Sequence, residues 1–296
     1  MPCPTELEGA WLVRAKLNLG LAVGPPDGVG YHSISTLLVA IDAADELHVA
    51  PVSGPACWEV VWAKGAPATD LGDLTSNLAW RAWREAGAEE GWSFRLVKHL
   101  PAGGGLGAGS ANAAAVLRLL SMAHGVSPLA GIEVARRLGS DVAFFLGEEA
   151  AWGTGRGDVL QVLPPGPVLH GVLACGHARV PTAEAYRWLD QVPDRATANL
   201  VRLRTAWELG EGAAVLDALT NDFAEVVSRR APEVAEAAGA LRRAGARSVL
   251  LAGSGATWAG FADSEADARR LLGAMGDFKG WVRLFRTERS PFQRMT

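Results

Sequence analysis

Residues Pro101, Ala102, Gly103, Gly104, Gly105, Leu106, Gly107, Ala108, Gly109, Ser110 and Ala111 read PAGGGLGAGSA, with five glycines in the seven positions from Gly103 to Gly109. One tight turn does not need so many. Glycine admits positive φ and lets a ligand come close to the main chain. Where such a loop runs into a helix, outward-facing N–H groups and the positive end of the helix dipole make an anion site, suited above all to phosphate. Ser110 stands where its hydroxyl caps the helix or reaches a phosphate or a metal ion. Three better-known loops fail. Walker A needs a Gly-Lys dipeptide, which the chain lacks. Gly103, Gly105 and Ala108 fit G-x-G-x-x-A, but Ala123 and His124 stand where a dinucleotide loop has its acid. Ser110 and Ser254 each have alanine two residues before them, so neither sits in G-x-S-x-G. A phosphate loop of another type is left.

The cation that such a loop calls for comes from a short supply, since the lysines are Lys16, Lys64, Lys98 and Lys279. Lys16 lies in a strand. Val13, Ala15, Leu17, Leu19, Leu21 and Val23 alternate with Arg14, Lys16 and Asn18, which predicts one buried face and puts Lys16 and Asn18 off it, about 7 Å apart. A Gly/Pro loop follows over 24–30, then Tyr31, His32 and a β-rich stretch over 34–41. Further strands are expected over 46–52 and 58–62, and a helix over 75–86 with Thr75 or Ser76 as cap and Gly87 as stop. A strand over 93–100 delivers the chain into the glycine loop. The helix beyond it repeats Ala113, Val116, Leu117 and Leu120 and is closed by Gly125. Ser127-Pro128 opens another helix ending at Gly139.

Leu163–Pro167 (LPPGP) marks the expected boundary between two domains, 1–163 and 164–296. In the second, a helix is expected from about Pro232 to Ala244 and a strand over 248–251 that enters Gly253-Ser254-Gly255. Another helix starts near Ser264, with Asp267 completing a capping box, and a last strand covers 281–287. Strands mixed with helices without regular βαβ alternation predict an α+β fold.

Of 296 residues, 49% are hydrophobic and 20% charged, enough for a sizeable core, and the net charge of −4 argues against nucleic acid or a membrane surface as partner. Cys3, Cys57 and Cys175 are scattered, which predicts neither a disulfide framework nor a zinc site and suits a reducing compartment. With no spanning apolar run and no signal-peptide pattern, a cytoplasmic protein is expected.

PAGGGLGAGSANAA resembles the glycine-rich ATP loop of the GHMP kinase superfamily. AKLNL at 15–19, GYHSIST at 30–36, GSDVAFFL at 139–146, WGTGRGD at 152–158 and Gly253-Ser254-Gly255 are similar to further motifs of one branch, in the same order. That branch phosphorylates 4-diphosphocytidyl-2-C-methyl-D-erythritol (CDP-methylerythritol). The resemblance implies a two-domain α+β GHMP kinase fold, with ATP and Mg2+ as cofactors and CDP-methylerythritol as small-molecule substrate. It implies that Pro101–Ala111, Asn77 and Lys98 meet the nucleotide. Asp141 would face the acceptor hydroxyl, with Lys16 neutralising charge on the transferred group. Asn18, Tyr31, His32 and Thr182 would meet the substrate, Tyr31 and His32 at its cytosine. The metal ligands are not legible, and the oligomeric state is open between monomer and homodimer. Two other functions compete: a GHMP kinase for homoserine or mevalonate, disfavoured by Tyr31-His32, and a non-catalytic ligand sensor, disfavoured by Lys16 with Asp141.

Overall fold

The computed structural model describes residues 7–87, 90–124, 128–147, 150–193 and 195–295. Strand β1 (Gly9–Pro26) pairs antiparallel with β2 (His32–Pro55), and these two long strands anchor a twelve-stranded sheet. β3 (Cys57–Trp62) and β4 (Glu90–Lys98) extend it beside β2. A hairpin of β5 (Ala151–Thr154) and β6 (Val159–Val162) also joins β2. On the C-terminal side run β7 (His170–Cys175), β9 (Ser248–Leu251), β10 (Trp258–Ala262) and β11 (Trp281–Glu288); β8 (Thr220–Asn221) and β12 (Phe292–Arg294) both pair with β1. β11 joins the halves by pairing with β7 along its length and with β2 at Ile41 and Ala40. The segment expected to separate two domains therefore links β6 to β7, while the sheet continues past it.

β1 departs from its expected one-sided burial. Residues 13–23 are buried on both faces, including Lys16 and Asn18 at 3% and 4% exposure. The cause is the glycine loop, which lies on the polar face and accepts the Lys16 N–H at Leu106 O, 3.0 Å away. β2 departs differently. Asp42 and Asp45, poor strand formers, suggest two strands, yet one strand of 24 residues runs through them. Asp45 is wholly buried and tolerated because its carboxylate accepts from Lys98 Nζ, the amides of His99 and Leu100, and Asn112.

Two helices frame the loop. α1 (Leu78–Glu85) is shorter than expected: Leu74–Ser76 form a separate 3-10 turn capped by Asp73, and Asn77 caps α1 by accepting the Ala79 N–H at 2.9 Å. Thr75 and Ser76 are thus not its caps, although Gly87, at φ +74°, follows its end as expected. α2 (Ala108–His124) begins inside the glycine loop and is buried on nearly every side between Ala111 and Leu120, not along one stripe. Its alanines allow that close approach. α3 (Pro128–Leu138) is followed by α4 (Ser140–Leu146); the expected stop at Gly125 and cap at Ser127 lie outside the described residues.

Among the later helices, α5 (Thr182–Asp190), α6 (Val201–Glu208), α7 (Gly212–Asp217) and α8 (Phe223–Arg230) precede α9 (Pro232–Arg243) and α10 (Glu265–Ala274). Ser264 caps α10 through the Asp267 N–H as the capping box predicts. One core cluster packs α2 against Phe94, Leu96 and Phe145, and another packs Phe223, Leu241 and Trp258. The cluster between them mixes both halves: Leu17, Leu19 and Leu106 with Leu173, Phe261 and Phe285. No helix among the described residues is long and apolar enough to cross a membrane.

Candidate active site

The central core cluster sets the backbone of β1, and the bulges on either side of Lys16-Leu17-Asn18 (register breaks at Arg14/Lys16 and Asn18/Gly20) open it toward the loop. Lys16 Nζ donates to Asn18 Oδ1 at 2.5 Å and to Gly105 O at 3.1 Å, and it lies 3.4 Å from Asp141 Oδ2. Asn18 Nδ2 donates to Thr36 Oγ1 at 2.8 Å, and that hydroxyl donates to Gly20 O at 2.7 Å. Asn18 Oδ1, Gly105 O and Asp141 Oδ2 thus surround the ammonium and hold it in place. The Lys16 side chain is 4% exposed and that of Asp141 38%. A buried cation is thus paired with a carboxylate still open to an incoming group.

Asp141 occupies the first turn of α4, where a negative charge is favoured by the helix dipole. Facing it is the start of α2. The first intrahelical bond there is Ala111 N to Gly107 O at 2.8 Å, so the N–H groups of Ala108, Gly109 and Ser110 precede the helical ladder. Ser110 is in the first turn, not at the cap. The loop needs glycine most at Gly105 (φ +81°), where a Cβ would enter the Ala252 carbonyl, and at Gly107 (φ +68°), where it would lie 3.0 Å from Phe145 and 3.1 Å from Lys16. Gly253 of the second glycine motif packs in return against Gly105. Asn221 holds this motif in place, donating to Leu251 O at 2.8 Å and Gly253 O at 2.7 Å. Thr182 Oγ1, at the start of α5, meets Ser254 Oγ at 2.9 Å.

These groups line one cleft of about 450 Å³ that includes Lys16, Asn18, Gly105, Gly107, Ser110, Asp141, Thr182, Tyr186 and Ser254. Of the expected loop contacts, Leu106, Ala108 and Ala111 are buried and shape the loop from beneath. Gly104 O accepts from Thr257 N and Ala102 O from Arg179, which tie the loop to the C-terminal half. Pro101 is buried below it, while Gly103 and Gly109 are outside the cleft lining.

Tyr31 and His32 do not form a joint stack. They point apart, as neighbours at a strand start do. His32 is turned inward: Nδ1 lies 2.9 Å from Gly24 O, which makes Nδ1 the protonated nitrogen, and Nε2 lies 3.3 Å from Asp190. Its ring packs on Tyr186 with centroids 4.9 Å apart. Tyr31 is 52% exposed under the Arg156 guanidinium. The loop before it is pinned by Asp27, whose carboxylate accepts the Tyr31 and Val29 amides and is held below its usual range by them.

Lys98 and Asn77 lie apart from the cleft lining. The Lys98 ammonium is buried on Asp45, and the Asn77 side chain caps α1. Lys98→Met should therefore cost about 3–5 kcal/mol of stability, because it strands a buried carboxylate, and urea unfolding measures it. Unchanged stability with weakened ATP binding would assign Lys98 to the nucleotide instead.

Sequence reasoning passed over Thr36, Tyr186 and Asn221. Thr36 closes the GYHSIST motif and was there to be read. Tyr186 is one of only two tyrosines in the chain and stands one helical turn after Thr182. Burial first, then the Asp141 charge, raises its phenol above the ordinary range.

Two family models match the chain, GHMP kinases N terminal domain over residues 75–148 and GHMP kinases C terminal over 200–279. The chain belongs to the GHMP kinases. As a GHMP kinase it is 34% identical over 279 residues to a 4-diphosphocytidyl-2-C-methyl-D-erythritol kinase of Citrifermentans bemidjiense, covering 91% of this chain and 95% of that one. The kinase of the same name from Deinococcus radiodurans is 37% identical, with 90% and 89% covered. Among solved structures, a 4-(cytidine 5'-diphospho)-2C-methyl-D-erythritol kinase superposes with TM-score 0.78 at 32% identity, over 94% of this chain and 99% of that one. A homoserine kinase from Cytophaga hutchinsonii shares the fold with TM-score 0.68 at 16% identity, over 97% and 96% of the chains. The two-domain α+β GHMP fold expected from the motifs is the fold found.

Proposed function

We propose that this GHMP kinase transfers the γ-phosphoryl group of Mg-ATP to the 2-hydroxyl of CDP-methylerythritol, giving the 2-phosphate and ADP. The observation that carries the reading is the Lys16–Asp141 pair, 3.4 Å apart, facing the glycine loop in one cleft. It is supported by full-length relatives that bear the name of this activity. Phosphoryl transfer asks mainly for positioning and for neutralisation of charge. The amides of the glycine loop, together with the N-terminus of α2 at Ser110, hold the ATP phosphates. Asp141 accepts the proton of the acceptor hydroxyl or orients it, and Lys16 stabilises charge on the moving group and holds Asp141. Ser110 and Asp141 would be the oxygen donors to Mg2+ brought in with the phosphates, and the ion would supply neutralisation of phosphate charge. Thr182 and Asn18 meet the acceptor end of the substrate. The cytoplasm is the compartment we assign, given ATP as donor and, among the described residues, unpaired Cys57 and Cys175.

A hollow at Tyr31 and His32 adjoins the cleft, which favours an alcohol carrying a nucleotide over homoserine or mevalonate. Purified protein given Mg-ATP should release ADP only when CDP-methylerythritol is added. ADP release with homoserine or mevalonate, and none with CDP-methylerythritol, would overturn the assignment.

A further inference from the structure

The cleft at Asp141 and the hollow at Tyr31 and His32, each of about 450 Å³, share a single lining residue, Arg156. It sits at the tip of the β5–β6 hairpin, between Gly155 (φ +68°) and Gly157 (φ +88°). That tip is firmly docked. Gly155 O accepts the Ile34 N–H at 2.8 Å, and a Cβ on Gly157 would lie 2.9 Å from Ile34 and 3.7 Å from Ser140, next to Asp141. The hairpin therefore places Arg156 at a fixed distance from the acceptor site.

The state of its side chain is unusual. The Arg156 guanidinium lies over the Tyr31 ring, 3.5 Å from the centroid. Among the described residues it forms no ion pair; Asp27 acts on it only through space. Stacking fixes the plane of a guanidinium and leaves its N–H edge free for two parallel bonds to an oxyanion. Lys16, the other cation of the cleft, is engaged by Asp141, Asn18 and Gly105 O.

We infer that Arg156 is the binding residue for the diphosphate of the acceptor substrate, holding it where the nucleoside hollow meets the phosphoryl-transfer cleft. This rests on the kinase reading above. A nucleoside diphosphate ester places its diphosphate between base and polyol. With the base at Tyr31 and His32 and the acceptor hydroxyl at Asp141, the diphosphate passes Arg156. The stack on Tyr31 preorganises the guanidinium for it, so less freedom is lost on binding.

Calorimetric titration of cytidine and CDP into wild type, Arg156→Gln and Arg156→Lys tests this. Wild type should bind CDP more tightly than cytidine. In Arg156→Gln that advantage should fall about tenfold or more, with cytidine affinity unchanged, and Arg156→Lys should recover part of it. In turnover the loss should appear in KM for CDP-methylerythritol and not in KM for ATP. A preference for CDP that survives the glutamine substitution, or equal weakening of cytidine and CDP, would overturn the inference alone. Wild type that binds neither ligand would overturn the kinase reading as well. Coincident thermal melts of the three proteins establish that each is folded.

Discussion

Asp141→Asn should lower turnover about a hundred- to ten-thousand-fold, the range that removal of a positioned proton acceptor produces, while ATP still binds. Asparagine keeps the shape of the side chain and loses both its charge and its basicity. The effect on Lys16 compounds this. Its ammonium would be left with Asn18 Oδ1 at 2.5 Å and Gly105 O at 3.1 Å, both neutral, and a buried cation without its counter-charge is costly. Lys16→Ala should lower turnover more than tenfold for the reciprocal reason. Steady-state rates with a separate ATP titration are the check. A rate for Asp141→Asn within a few-fold of wild type would mean that the acceptor hydroxyl reacts without this carboxylate, as a loose transition state permits. The pair would then be an ion-pair brace and nothing more.

The second large effect is expected at Gly105. Its φ of +81° is strained for any other residue, and an alanine methyl would collide with the Ala252 carbonyl. Left-handed strain of about 1–2 kcal/mol and overpacking of about 1–3 kcal/mol predict a loss of about 2–5 kcal/mol for Gly105→Ala. ATP binding should fall with it, because the loop can escape only by leaving Gly253. Gly103 is the control: φ is +65°, but a Cβ there has nothing within 4 Å, so Gly103→Ala should show the strain alone. Gly107→Val belongs with Gly105, since its side chain would press on Lys16 and Phe145. Denaturant unfolding and nucleotide titration of the set separate the two causes. Equal losses at Gly103 and Gly105 would mean that contact between the two glycine motifs contributes little.

The parts of the site that were readable in advance are those whose chemistry is local. A run of glycines before a helix, an alternating strand and the Ser264 cap each depend on neighbours a few residues away. What escaped depends on distant partners. Nothing near Lys98 in sequence announces its partner Asp45, which stands 53 positions earlier. The same carboxylate explains why β2 does not break at its acidic stretch. Tyr31-His32 is legible as a motif, but the choice of which ring turns inward is made by Gly24, Asp190 and Tyr186, two of them on α5. Burial of both faces of β1 could not be read from its alternation, since the loop that covers the polar face arrives some 90 positions later.

β1 has β2 along one edge, and its other edge is covered by β8 at Gly20 and Leu21 and by β12 at Trp11–Val13. Trp11 stacks on Phe292 at 4.6 Å, and Arg14 donates to Ser290 O at 2.8 Å. A growing polypeptide on the ribosome thus makes Arg14, on the lysine-bearing strand, 276 positions before its partner Ser290 emerges. Until then one flank of that ribbon is uncovered, open to mispairing and to chaperones. Completion of that flank waits on β12, and a fragment that stops short of it leaves the outer edge of β1 open at Trp11–Val13.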